Sequence, residues 1–222
     1  IFKNCTFFNE NFEKEYGDIE IENGKIKQIG ILDGEGKDMS GKIIIPGFID
    51  VHIHGCAGGD ASDADKSGLE KMAKELAKHG VTSFCPTSMT LPKEKLENIV
   101  ETVKEFKSES HEGSKVIGIN LEGPFIAMSK KGAQNAEYVR GGTIEEFDDL
   151  YKKSGELVKL ITIAPEAFDS EKFINHAKDY TNVSIGHSAA NANECKKAIE
   201  NGINHATHLF NAMTPMVHRE AG

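Results

Sequence analysis

Isoleucines alternate with polar residues through DIEIENGKIKQIG at 18–30, on both sides of an Asn23-Gly24 pair. That alternation predicts two short strands joined by a tight hairpin turn. With almost no helical periodicity before residue 45, the first 45 residues read as a small β-layer separate from the rest. From residue 43 the pattern becomes an apolar strand followed by an amphipathic helix, repeated. IIIPGFIDVHIHG, VTSFCPTSMT, KVIGINLEGPF, VKLITIAPE, NVSIGHSAA and NHATHLFNAMT supply six strands. Between the first two, Leu69, Met72, Ala73, Leu76 and Ala77 recur at helical spacing, with Gly80 as the stop. After the second strand, Leu96, Ile99, Val100, Val103 and Phe106 form one apolar stripe, with Pro92 near the first turn. Thr143-Ile-Glu-Glu146 has the form of a capping box for a third helix, and KFINHAKDY and ECKKAIENG supply a fourth and a fifth.

Strands alternating with helices imply parallel pairing. The strand centres, near residues 50, 84, 119, 161, 184 and 207, are spaced by about 31 residues on average, the size of one βα unit. Six units fall short of the eight in a (β/α)8 barrel of about 250 residues. The expected fold is therefore an α/β, incomplete (β/α)8 TIM-type barrel over 46–222 that lacks strands 7 and 8. A native product longer than 222 residues is expected on the same ground. A doubly wound sheet is the competitor, but no GxGxxG or P-loop follows any strand.

Composition narrows the function. Lys and Arg number 26 against 35 Asp and Glu, giving a formal charge of −9 with no basic stripe, so a nucleic-acid partner is not expected. The longest apolar run, IIIPGF, contains a proline and is far shorter than the roughly 20 residues of a membrane span. Cys5, Cys56, Cys85 and Cys195 are too scattered for a disulfide framework, and the N-terminus lacks a signal pattern. These features lead to the expectation of a cytoplasmic protein with no membrane partner.

His52 and His54 lie two apart in DVHIHG, so on a strand both imidazoles project from one face toward a shared ion. Glu122, His187 and His208 each end a later strand. In a parallel barrel the C-terminal strand ends surround one mouth, so residues far apart in sequence meet there. Imidazoles with a carboxylate suit Zn²⁺ or Fe²⁺, and five candidate ligands leave room for one or two ions bridged by Glu122. His205 falls on the opposite strand face. His79, His111 and His176 fall on helices or helix ends as surface residues, and Cys56 and Cys85 read as small packed side chains. Asp50 reads as an orienting group for the ligand strand.

PGFIDVHIHG (46–55), NLEGPF (120–125), KKGAQN (130–135), GHSAAN (186–191) and HATHLFNAM (205–213) together resemble the N-acetylglucosamine-6-phosphate deacetylase family of the amidohydrolase superfamily. The resemblance implies hydrolysis of the acetamide of N-acetylglucosamine 6-phosphate, releasing acetate and glucosamine 6-phosphate. It implies that Glu122, His187 and His208 bind the principal metal; some members lack the HxH pair and work with one ion, whereas the retained His52 and His54 leave room here for a second. Ala133, Gln134, Asn211 and Ala212 would touch the sugar, and Arg219 would meet the phosphate, across a homodimer interface. Gln134 stands where many members carry histidine. Residues 1–45 resemble half of the family's small β-sandwich. The implied catalytic aspartate follows strand eight and so lies beyond Gly222, leaving no catalytic acid or base among residues 1–222. Two further readings stand beside this one: an amidohydrolase opening a cyclic amide or ureide, and a truncated, non-catalytic metal-binding module.

Overall fold

The computed structural model describes residues 1–222 and divides them into two compact units, Ile1–Gly47 and Phe48–Gly222. The first is a five-stranded sheet of β1 (Phe2–Phe8), β2 (Lys14–Glu22), β3 (Lys25–Gly30), β4 (Lys37–Asp38) and β5 (Ile43–Ile44). The hairpin expected from Asn23-Gly24 joins β2 to β3. Both turn residues sit in the left-handed region, at φ 51° and 73°, as a type I′ turn requires. Cys5, Phe7 and Ile19 form its small apolar core. Asp18 is the one buried acid of this unit. Its carboxylate accepts the backbone N–H groups of Leu32 (3.0 Å) and Asn4 (2.9 Å) and the Lys3 ammonium (2.9 Å). The Leu32 and Asn4 bonds, with Lys3 behind them, pull its pKa down to about 2.

The second unit carries the six expected strands as one parallel sheet. β6 (Phe48–Ile53) pairs with β9 (Val81–Ser88), and β10 (Lys115–Val116) and β11 (Ile119–Glu122) pair successively with residues 83–84 and 87–88 of β9. β11 then pairs with β12 (Val158–Ile163), β12 with β13 (Asn182–Ile185), and β13 with β14 (His205–Ala206). Each strand neighbours the next in sequence, the order expected of consecutive βα units. A short hairpin, β7 (Gly55–Cys56) with β8 (Gly59–Asp60), follows β6.

The helices are α1 (Lys66–Lys78), α2 (Lys93–Ser108), α3 (Ile144–Lys153), α4 (Ser170–Ala177) and α5 (Ala192–Asn201). The apolar stripes read from sequence are the buried faces: Leu69, Met72, Ala73 and Leu76 of α1, and Leu96, Ile99, Val100, Val103 and Phe106 of α2. None of the helices is long and apolar enough to cross a membrane. The capping box expected at Thr143 is only half made: Thr143 accepts the Glu146 N–H, but the Glu146 carboxylate binds the Arg140 guanidinium. A charge-assisted pair outcompetes a neutral backbone donor for that carboxylate. The complete box is at α5, where Asn191 and Glu194 satisfy each other's N–H groups.

Phe84, Leu121, Phe125, Phe147, Ile161 and Phe173 lie at the centre of the main core, between sheet and helices. Phe147 is fully buried against Tyr151, Phe173 and His176. At the two ends of the sheet, by contrast, Phe48 and Ile49 of β6, and Leu209 and Phe210 after β14, are exposed.

Two outcomes follow from this packing. Replacing Phe147 with Ala should destabilise the protein by about 3–5 kcal/mol, the range for a buried aromatic truncation, read as a lower urea midpoint. Because the Asp18 pKa is depressed, its stabilisation is complete above about pH 4 and is lost as pH falls through about 2. Native-state hydrogen exchange at β1 and β2 should accelerate across that interval in the wild type, and Asp18→Asn should flatten the dependence.

Candidate metal centre

Glu122 closes β11 with its side chain 3% exposed. The backbone turns away sharply at Gly123, whose φ of +81° and contact with Thr90 leave no room for a side chain. Four imidazoles surround the carboxylate, and each comes from a strand end on the same side of the sheet. His52 is the penultimate residue of β6 and His54 directly follows the strand, while His187 and His208 each lie two residues past the ends of β13 and β14. Glu122 Oε1 lies 2.9 Å from His208 Nε2, 3.3 Å from His187 Nε2 and 3.4 Å from His52 Nε2, and Oε2 lies 3.0 Å from His54 Nε2. Residues 52 and 208 thus meet at one atom, as parallel strands of successive βα units allow.

The outward side of three of the four rings is fixed by backbone. His54 Nδ1 faces the Thr87 carbonyl at 3.1 Å, His187 Nδ1 the Lys130 carbonyl at 2.8 Å, and His208 Nδ1 the Asn211 carbonyl at 3.2 Å. A carbonyl only accepts, so Nδ1 carries the hydrogen, and each neutral ring turns the Nε2 lone pair inward. His187 and His208 stand at φ 49° and 32°, a left-handed conformation that non-glycine residues adopt at a cost and that clusters at functional sites.

Three inward lone pairs facing a carboxylate, with His187 and His208 Nε2 only 3.2 Å apart, repel one another unless a cation lies between them. This is the donor chemistry of a divalent metal site: ligands about 2.0–2.1 Å from a tetrahedral ion stand roughly 3.4 Å from one another. Two such groups share Glu122, one with His187 and His208 and the other with His52 and His54, and in each the ligand atoms lie within 4.8 Å of one another. Without an ion, protons serve the same end. Burial pushes the Glu122 pKa up, but hydrogen bonds from His187 and His54 and the charge of His52 outweigh it, holding the carboxyl below its usual range. Burial likewise disfavours charge on His54 and His187, yet Glu122 more than offsets it and raises both, whereas burial dominates at His52 and lowers it.

The other sequence-derived positions lie around this cluster. Asp50 Oδ1 accepts the His52 N–H at 3.0 Å, stiffening the ligand strand. Asn211 reaches His208 through its backbone carbonyl, not its amide side chain, and Ala212 is half-buried beside it. Ala133 is exposed, while Gln134 is buried and engaged with Glu122 and Thr90. Arg219 is exposed in the 217–220 turn and unpaired. His205 lies outside the cluster. His79 and His176 pair with Glu75 and Asp148, and His111 stacks on Phe106. Cys85 is buried, which pushes its thiol up to about 11 and leaves it unreactive. What sequence reasoning missed is the set of backbone carbonyls holding the rings, and Gln134 beneath the carboxylate. The carbonyls carry no residue signature, and the glutamine was read toward substrate.

The sequence profile of the Amidohydrolase family matches residues 43–220. The chain belongs to the amidohydrolase family. It is 33% identical over 232 residues to the N-acetylglucosamine-6-phosphate deacetylase of Bacillus subtilis (strain 168), covering 100% of this chain and 59% of that protein. It is 40% identical over 195 residues to the Homo sapiens protein of that name, covering 85% and 47%. Among solved structures, the N-acetylglucosamine-6-phosphate deacetylase of Pasteurella multocida superposes with a TM-score of 0.89 at 29% identity, covering 100% of this chain and 59% of that one. A mutant of the Mycobacterium smegmatis enzyme, in complex with N-acetyl-D-glucosamine-6-phosphate, gives 0.88 at 26%, covering 99% and 58%. This amidohydrolase chain therefore spans between about half and three-fifths of the relatives it matches.

Glu122→Gln removes the charge that both donor groups share while keeping the side chain's shape. Bound divalent metal, measured by elemental analysis after dialysis, should fall from near-stoichiometric to background. Undiminished metal in the folded variant would take Glu122 off the ligand list.

Proposed function

We propose that this amidohydrolase is the core of a metal-dependent deacetylase that converts N-acetylglucosamine 6-phosphate to glucosamine 6-phosphate and acetate. The observation carrying the proposal is the Glu122-centred donor set at the strand ends, in a chain similar along its length to deacetylases acting on that class of compound.

A secondary amide resists hydrolysis because its carbonyl is a weak electrophile and its amine a poor leaving group. A divalent ion held by Glu122, His187 and His208 supplies Lewis acidity, polarising the carbonyl and making water acidic enough to act as a nucleophile near pH 7. The protein's task is to fix those three donors and orient the acetamide against them. The carbonyls of Lys130 and Asn211 keep Nε2 of His187 and His208 inward and unprotonated at that atom. Exposed Ala133 and the 211–212 segment are assigned to the sugar, with Ala133 beside the ligand-bearing loop and Asn211 bonded to His208 through its backbone. The unpaired guanidinium of Arg219 is assigned to the phosphate, whose oxygens its planar fork matches. In a chain of charge −9, a dianionic substrate requires such a local positive group. The proton that reaches the departing amine is assigned, on the family resemblance, to an aspartate outside residues 1–222; within the two donor groups the one acid is Glu122, which is taken up as a ligand.

The same reading extends to the setting. His52 and His54 are assigned to a second ion, sharing Glu122 with the first, and Zn²⁺ and Fe²⁺ are the metals the donor set best suits. The N-terminal sheet is taken as half of a β-sandwich, and the protein as a cytoplasmic homodimer with Arg219 reaching across the interface.

The test is acetate release from N-acetylglucosamine 6-phosphate by the metal-loaded gene product that carries residues 1–222 together with the assigned aspartate. Release that stops with a chelator and returns with divalent metal is the expected result, and no release by the metal-loaded protein would refute the assignment. Arg219→Ala should raise KM for the phosphorylated sugar about 10- to 100-fold, the loss of one charged hydrogen-bonding group. The unphosphorylated sugar should be turned over equally poorly by both proteins, and an unchanged KM would detach Arg219 from the phosphate.

A further inference from the structure

Gln134 has no role in the chemistry above, yet it is the most deeply placed polar side chain of the loop that follows β11. It is 3% exposed. Its Oε1 accepts the Thr90 N–H at 2.6 Å and its amide nitrogen donates to Glu122 Oε2 at 2.8 Å. The backbone donor fixes which way the amide faces. Turning the group over would set its NH2 against the Thr90 N–H and its carbonyl against the Glu122 carboxylate, making both contacts repulsive.

The consequence falls on the carboxylate. Oε2 receives a true donor from Gln134 and also faces His54 Nε2 at 3.0 Å, whereas Oε1 meets only the Nε2 atoms of His208, His187 and His52. Rotating the Glu122 carboxylate out of its plane breaks the Gln134 bond in a site too buried for water to replace it, so the two oxygens hold fixed and unequal positions. The same loop grips a second donor. Lys130 carbonyl accepts from His187 Nδ1 at 2.8 Å, and the Ala127 N–H donates to the His187 carbonyl at 3.0 Å. One segment, 127–134, therefore sets the orientation of Glu122 through a side chain and of His187 through its backbone.

We infer that Gln134 is a positioning residue of the metal centre, holding the Glu122 carboxylate in the orientation that presents Oε1 to the ion between His187 and His208. This inference replaces a sugar contact by the Gln134 side chain with an action through Glu122, and it rests on the metal-centre reading. Partners that orient metal ligands are typically worth 10- to 100-fold in metal affinity.

The test uses Gln134→Met, which keeps an unbranched chain of similar length and removes both polar ends, with Gln134→Leu as the second variant. Zn²⁺ affinity is measured by chelator competition on the purified, metal-depleted protein, and the urea midpoint of the metal-free protein is measured in parallel. Zn²⁺ Kd should rise 10- to 100-fold with the metal-free midpoint nearly unchanged, and the visible spectrum of the Co²⁺-loaded protein should shift. A Zn²⁺ Kd within twofold of wild type, in whichever variant folds, would overturn the inference, as would a lowered metal-free midpoint with unaltered Kd, the mark of a merely structural residue. Wild-type protein that takes up no Zn²⁺ would instead refute the underlying metal-centre reading, so the two failures are distinguishable.

Discussion

A buried carboxylate ringed by imidazole lone pairs is the constraint on which this molecule turns. Glu122 cannot be solvated where it lies, and three of the imidazoles around it turn acceptors toward it because backbone carbonyls hold their hydrogens on the far side of those rings. Such an arrangement repels itself unless it encloses positive charge. Paired protons satisfy it partly, as the opposite pKa displacements of Glu122 and its partners His54 and His187 indicate, and a divalent cation satisfies it with one particle. Every larger feature serves that enclosure: parallel strands bring their C-terminal ends to one side, and the apolar layer of Phe125, Phe147, Ile161 and Phe173 holds those ends in place.

Much of this was legible before any coordinates. The alternation of Ile19, Ile21, Ile26 and Ile29 about Asn23-Gly24 reports a two-residue periodicity and a turn chemistry that few other conformations tolerate. The stripes on α1 and α2 were equally plain because surface helices bury one face. Strand ends are readable as positions, so Glu122, His187 and His208 were recognisable as a convergent set once parallel pairing was inferred. That inference needed only the order of strands and helices.

What escaped the sequence was interaction without signature. Competition decided the α3 start: Thr143 and Glu146 satisfy the capping pattern, but Arg140 is close enough to claim the carboxylate, and no local rule weighs a neighbour six residues away. At α5 the complete box was present as Asn191-x-x-Glu194 and was simply overlooked. The left-handed conformations of His187 and His208 are tertiary impositions that no propensity of histidine announces. The Gln134 contact with Glu122 was hidden for a different reason. A glutamine in a loop is chemically equipped for a ligand or for a buried carboxylate, and only the Thr90 N–H, distant in sequence, decides between them.

The most direct measurement is anomalous diffraction at the Zn²⁺ edge from crystals of the metal-loaded protein. The account predicts a strong peak bonded to a Glu122 carboxylate oxygen and to Nε2 of His187 and His208, with Nδ1 of both rings still on the Lys130 and Asn211 carbonyls. A peak bound elsewhere, or the three side chains gathered around no ion at saturating Zn²⁺, would contradict it.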